Sequence, residues 1–192
     1  MVYNRNMILK RLGTFFLDIL QVITFAIAIF LFIYLLVMQP HRIRGASMMP
    51  NFPDGEYLLT DKVSYRFNEP KRGDVVVFEA PNGNGDDFIK RIIGLPNDKI
   101  AAKGGSIFIN GLKLKEPYLS DSIYTSAGRF LKEGDTVSVP EGQFFVLGDN
   151  RAHSSDSRAW GFVTQDKITG RAWFIYWPLD LVGVIEAVDY SF

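Results

Sequence analysis

Residues 19–38 read Ile-Leu-Gln-Val-Ile-Thr-Phe-Ala-Ile-Ala-Ile-Phe-Leu-Phe-Ile-Tyr-Leu-Leu-Val-Met, twenty residues without one charge. That is about the length a helix needs to cross the hydrocarbon core of a bilayer. A helix buried in a soluble core would normally show a polar face, and this run has none. Asp18 and Gln21 lie at its N-terminal end, within reach of headgroups. Arg5, Lys10 and Arg11 precede the run, and His41, Arg42 and Arg44 follow it. The positive-inside rule therefore places the N-terminus in the cytoplasm by a small margin. A cleavable signal peptide would have a shorter apolar region and a small-x-small site behind it, and none is well placed after Met38. The expected organisation is a cytoplasmic segment over residues 1–18, an uncleaved signal-anchor over 19–38, and an extracytoplasmic domain over 39–192.

The body is about one domain in size. The chain is 47% hydrophobic and 14% aromatic, enough for a real core. Its 21 basic and 21 acidic residues cancel, which leaves no electrostatic case for nucleic acid. It has no cysteine, so disulfides, thiolate metal sites and a cysteine nucleophile are excluded.

Beyond Pro40 the pattern changes to short β-like runs separated by turn residues. Strands are expected over residues 57–60, 74–78, 88–93, 106–109, 136–139, 144–147, 171–177 and 182–186. Asn110-Gly111 between two apolar triplets signals a tight hairpin. Gly104-Gly105 marks a loop, and residues 81–85 mark a mobile one. No second amphipathic helix of useful length is visible. The predicted fold class is mainly β: one N-terminal transmembrane helix, then a single antiparallel β-rich domain of folded sheets or a partial barrel.

Three places in this body carry chemistry. Ser47 stands in Gly45-Ala46-Ser47-Met48-Met49-Pro50. A serine hydroxyl attacks only when a base takes its proton. The same string also reads as an ordinary turn with two methionines for apolar packing. Lys90 stands in Asp87-Phe88-Ile89-Lys90-Arg91-Ile92-Ile93-Gly94. In a strand, Phe88, Lys90 and Ile92 share one face. Such neighbours desolvate an ammonium and lower its pKa, as a base near neutral pH requires. The bland alternative is a lysine that snorkels to solvent. Arg91 faces the other way, towards a carboxylate. The third place is the polar loop over residues 148–161, Gly-Asp-Asn-Arg-Ala-His-Ser-Ser-Asp-Ser-Arg-Ala-Trp-Gly. It reads either as a self-bonded turn or as a frame holding a hydroxyl and an amine.

Taken together, these elements resemble the bacterial type I signal peptidases, serine–lysine proteases that release exported proteins from their signal peptides. Residues 45–50 look like the family's nucleophile box, 71–78 like its Gly-Asp-apolar strand, 90–98 like its general-base box, and 148–161 like its last signature. Ile109-Asn110-Gly111 and Glu116-Pro117-Tyr118-Leu119 add similarity between them. The resemblance runs from the anchor nearly to Ala187. It implies Ser47 as nucleophile and Lys90 as general base, with no metal or cofactor. Ser154 would position the lysine amine, and Asp156 and Arg158 would support the site, with Gly148 and Asn150 in the same loop. Some members carry an oxyanion-binding serine where this chain has Gly45, so the oxyanion is expected to rely on backbone at Gly45 and Ser47, chiefly the Ser47 N–H. His153 stands where asparagine is common, and Asn97 where glycine is common.

The partners implied are preproteins bearing signal peptides, the lipid bilayer, and export machinery as a further candidate. The implied location is the bacterial plasma membrane. A substrate would lie extended beside residues 42–45 and 87–89. Ile43, Met48 and Ile89 are expected to wall shallow pockets for small side chains, alongside Asp87 and Phe88. Three alternatives stand beside this reading. One is a Ser-His-Asp triad through His41 or His153, and another is a serine–lysine processing protease with narrower substrates. The last is a membrane-tethered β domain that only binds.

Overall fold

The computed structural model describes residues 2–81, 85–188 and 190. The chain forms two units, a helical one up to Met38 and a β-rich one from Gln39 onward. Helix α1 spans Val2–Leu36, longer than the apolar run alone. Extending a formed helix costs far less than starting one, and residues 2–18 contain no proline to stop it. The stretch Met7–Leu36 is long and apolar enough to cross a membrane, and its side chains are exposed rather than packed in a core. The helix ends two residues earlier than the apolar run does. Pro40 lacks an N–H and biases the residue before it towards extended backbone, so Met38 already opens strand β1, Met38–Arg42.

In chain order there follow β2 (Tyr57–Asp61), the single-turn helix α2 (Ser64–Phe67), β3 (Val75–Glu79) and β4 (Asp87–Gly94). Next come β5 (Lys99–Lys103), β6 (Ser106–Ile109), β7 (Leu112–Lys113), β8 (Thr136–Ser138) and β9 (Gln143–Leu147). The chain continues with α3 (Ser157–Trp160), β10 (Val163–Thr164), β11 (Ile168–Trp177) and β12 (Gly183–Val184). The larger sheet runs β1-β2-β11-β3-β4-β9-β10, with β12 also on β11, and the smaller runs β7-β6-β5-β8. The β11 pairings with β2, β3 and β12 are antiparallel, as are β3 with β4 and β4 with β9. The β-rich expectation and the N-terminal apolar helix are thus both observed. Asn110 and Gly111 take φ of 53° and 87°, the left-handed pair a two-residue hairpin needs between β6 and β7. Strands β1, β5 and β10 were not expected, and β12 is shorter than the run over 182–186. Residues 82–84 of the loop expected to be mobile lie outside the described residues.

Strand β3 is apolar without alternation because both its faces are covered. Val75 and Val77 join Ile43, Met48, Phe52 and Leu58 on one side. Val76 and Phe78 join Ile92, Phe144 and Val146 on the other. The larger sheet is also strongly curled. Along its order β1 and β4 are four strands apart, about 19 Å if the sheet were flat. Yet His41 Nε2 of β1 lies 3.1 Å from Asp87 Oδ2 of β4. The five strands from β1 to β4 therefore bend into an incomplete barrel, and the gap between its first and last strands is a cleft.

Candidate active site

Ser47 sits in a tight turn just after β1. Gly45 takes φ of 85°, a conformation costly for other residues, and its N–H donates to Asp54 Oδ1 at 2.7 Å. Met48 is fully buried and anchors the turn in the core below. The loop after β9 clamps the other side: Asn150 Nδ2 donates to the Ala46 carbonyl at 2.9 Å, and Asn150 N–H donates to the Ser47 carbonyl at 3.0 Å. Among the described residues the Ser47 N–H donates no hydrogen bond, which leaves it available to a ligand.

Lys90 comes from β4, where it pairs with Val76. Its Nζ lies 2.9 Å from Ser47 Oγ and donates to the Ile89 carbonyl at 2.8 Å. The Phe88 ring centroid is 5.2 Å from the same atom. The strand-face argument from sequence is therefore met: Phe88 and Ile92 flank a lysine that is only 3% exposed. Burial lowers the ammonium pKa from its ordinary 10.5 to about 8, against the opposing pull of Asp156 and Asp149. A neutral amine then carries a lone pair at hydrogen-bond distance from a hydroxyl, which is the geometry for taking its proton.

Asp156 and Arg158 form the expected brace. Arg158 Nε and Nη2 donate to the two carboxylate oxygens, each at 2.8 Å. Asp156 Oδ2 also accepts from the Gly148 N–H at 3.1 Å, and Arg158 Nη2 donates to the Arg151 carbonyl at 2.8 Å. Gly148 is held so closely that a Cβ there would overlap Ser154 Oγ and the Ser47 carbonyl oxygen. Gly148→Ala is accordingly expected to displace Ser47 and cut kcat/KM on the order of 100-fold. Cleavage rates, with thermal melting as a control for the fold, would check this.

Three expectations need correction. Ser154 Oγ is buried but, among the described residues, makes no hydrogen bond, to the Lys90 amine or to any other group. Gly45 cannot lend its N–H to an oxyanion, because Asp54 already takes it. Met48 does not wall the cleft; its side chain lies in the core beneath. A cavity of about 360 Å³ runs between Ile43 and Ile89, with Asp87 and Phe88 also on its lining as expected. Leu58 and Val77 line it, and Met48 does not. No local sequence signal tied these two to the cleft, since both read as ordinary core residues of their strands.

Sequence reasoning also missed who holds Arg91. Its Nε and Nη2 donate to the Asp149 carboxylate at 2.9 and 2.7 Å, and its guanidinium stacks 4.1 Å from the Tyr118 ring centre. Lys90 and Arg91 point to opposite faces of β4: Arg91 binds Asp149 in the loop that follows β9, whereas Lys90 binds Ser47, which Asn150 of the same loop clamps. His41 is held by Thr60 Oγ1 at 2.9 Å and Asp87 at 3.1 Å, so both ring nitrogens are engaged away from Ser47. Among the described residues the His153 ring makes no hydrogen bond to Ser47 either. Neither histidine completes a triad.

A hydroxyl beside a buried amine, at the wall of an open cleft in a β-rich domain, is an arrangement suited to a serine hydrolase whose base is an amine. Residues 16–177 match the family described as signal peptidase, peptidase S26. Probable signal peptidase I-2 of Synechocystis is 40% identical over 167 residues, covering 81% of this chain and 73% of that protein. Signal peptidase IB of Staphylococcus aureus strain COL is 38% identical over 153 residues, covering 74% and 79% respectively. A crystal structure of a signal peptidase I from Enterococcus faecalis, 34% identical, covers 54% of this chain and 97% of that one at a TM-score of 0.46. The chain belongs to the signal peptidase family, peptidase S26. It is a serine peptidase by that membership, and its long apolar N-terminal helix fits membrane anchoring.

Proposed function

We propose that this chain is a membrane-anchored endopeptidase that cuts signal peptides from exported preproteins after small-x-small sequences, with Ser47 as nucleophile and Lys90 as general base. The observation that carries this reading is the 2.9 Å contact between Lys90 Nζ and Ser47 Oγ, made by a lysine whose charge burial disfavours. The preprotein lies extended in the cleft between β1 and β4. Neutral Lys90 takes the Ser47 proton as Oγ attacks the scissile carbonyl, and the Ser47 N–H donates to the oxyanion. Lys90 then gives that proton to the leaving amine of the mature protein. A water molecule, deprotonated by Lys90 in turn, hydrolyses the acyl-enzyme and frees the signal peptide.

The N-terminus lies in the cytoplasm and the β-rich unit on the outer side of the bacterial plasma membrane. There the bilayer confines enzyme and substrate to one plane and raises their effective concentration. Export machinery would deliver the substrate to the same plane. Ile43 and Ile89, with Leu58 and Val77, form an apolar lining suited to small side chains. The test is incubation of the full-length protein, in detergent or lipid, with a preprotein. Cleavage at the small-x-small site is expected from the unaltered protein and none from Ser47→Ala. Intact preprotein in both samples would sink the proposal.

A further inference from the structure

Asp54 reads as an ordinary exposed acid in a turn, yet it sits at the neck of the loop that carries Ser47. Two backbone bonds and one side-chain bond close that neck. Gly55 N–H donates to the Ile43 carbonyl at 3.0 Å, and Ile43 N–H donates to the Glu56 carbonyl at 2.8 Å. Two residues thus face one, and Gly55 takes φ of 91°, the pattern of a glycine-led β-bulge. Beyond the bulge Gly45, with its left-handed φ of 85°, turns the chain out of the ladder. A side chain then supplies the next rung: Gly45 N–H donates to Asp54 Oδ1 at 2.7 Å. Among the described residues, no other side chain bonds the backbone of Arg44 or Gly45.

The place of that rung gives it a consequence for the chemistry. The peptide unit between Ala46 and Ser47 carries the N–H that would meet the oxyanion. Its carbonyl accepts from Asn150 Nδ2 at 2.9 Å, a single contact about which the unit can still pivot. Asp54 grips the peptide unit between Arg44 and Gly45, two units upstream, so the turn is held at both ends. A carboxylate is the stronger acceptor for this task, because a hydrogen bond to a charged oxygen is roughly twice as strong as a neutral one. Asp54 itself is absent from the lining of the cleft and meets no substrate there. We propose that Asp54 is a positioning residue, whose carboxylate locks the Gly45 turn and thereby aims the Ser47 N–H and Oγ at the scissile carbonyl. This rests on the serine–lysine peptidase reading above.

The experiment measures kcat and KM for preprotein cleavage by the full-length protein in detergent, unaltered and as Asp54→Ala, Asp54→Leu and Asp54→Asn. Asp54→Ala and Asp54→Leu both remove the acceptor, and Asp54→Leu keeps the bulk. Each should lose on the order of 10- to 100-fold in kcat, the scale on which a small misplacement of reacting groups costs rate. KM should stay within about twofold, since the contact serves the attack rather than the binding of substrate. Asp54→Asn keeps an oxygen acceptor and should remain within about threefold of the unaltered protein. Melting temperatures should match across all four, because Asp54 is exposed. The pH midpoint of kcat/KM should stay at about 8 in every variant, because the carboxylates that act on Lys90 are Asp156 and Asp149. Full kcat in Asp54→Ala and Asp54→Leu overturns the positioning role, as does an equal loss in Asp54→Asn. So does a melting temperature that falls in step with activity. Each of these results leaves the peptidase reading in place. Absence of any Ser47-dependent cleavage by the unaltered protein overturns both.

Discussion

Lys90→Ala is expected to lower preprotein cleavage on the order of 10⁴-fold, acting on kcat more than on KM, because the nucleophile loses the group that takes its proton. Lys90→Arg should be equally inactive, since a guanidinium does not give up its proton in a protein and offers no lone pair to Ser47. In the unaltered protein kcat/KM should climb as pH rises through about 8, where Lys90 becomes neutral, and then level off. Substantial turnover by Lys90→Ala, or a rate flat from pH 6 to 10, would remove Lys90 from its role as base.

The same lysine has a stability cost whose sign follows from proton counting. In the folded chain Lys90 releases its proton at about 8, and in the unfolded chain near the ordinary 10.5. Between those values the unfolded state binds more protons, so stability rises with pH across that window. Below about 8 the cost of burying the charge is carried in full. Lys90→Met should therefore be inactive yet more stable at pH 7, by on the order of 3 kcal/mol, with the advantage fading towards pH 10. Unfolding midpoints at pH 7 and pH 10 measure this, and a variant less stable than the original at pH 7 would contradict it.

Asp149→Ala is expected to destabilise the β-rich unit by about 3–5 kcal/mol, the usual consequence of leaving a buried charge without its partner. Asp149 has no exposed surface, and Arg91 is 3% exposed. Burial alone would lower the Arg91 pKa, but the Asp149 hydrogen bonds and charge more than reverse that, so the cation persists. Asn51 Nδ2, 2.8 Å from Asp149 Oδ2, would lose one of its two acceptors as well, keeping the Tyr118 carbonyl. Arg91→Met combined with Asp149→Leu should recover much of the loss, because no unpaired charge then remains. Denaturant midpoints for Arg91→Met, Asp149→Leu and the double variant test this. Additive losses would mean the pair is not coupled.

Much of this protein is legible in its sequence. The uncharged run over residues 19–38 required a long apolar helix, and the Asn110-Gly111 dipeptide required a tight hairpin. The alternation around Lys90 foretold a flanked amine, and the Arg91 prediction was right about the kind of partner. What failed did so for identifiable reasons. Ser154 was expected to position the amine, yet its Oγ makes no hydrogen bond to it, because a hydroxyl's partner depends on distances of tenths of an ångström, which composition does not set. Met48 was expected to wall the cleft but lies in the core, because adjacent residues in a turn need not face the same way. The corresponding wall came from Leu58 and Val77, which arrive on other strands.

The sequence by itself determined the local matters: where the chain can be helical, where it is extended, which strand faces are apolar, and which side chains could act as nucleophile and base. Those properties depend on a few neighbouring residues and on fixed periods of 3.6 and 2. Only the tertiary structure decided that the larger sheet curls until β1 meets β4, bringing Ser47 to Lys90 across 43 positions of chain and His41 to Asp87 across 46. Such contacts depend on strand order, register and twist summed over the whole sheet, and no local stretch of sequence contains that sum.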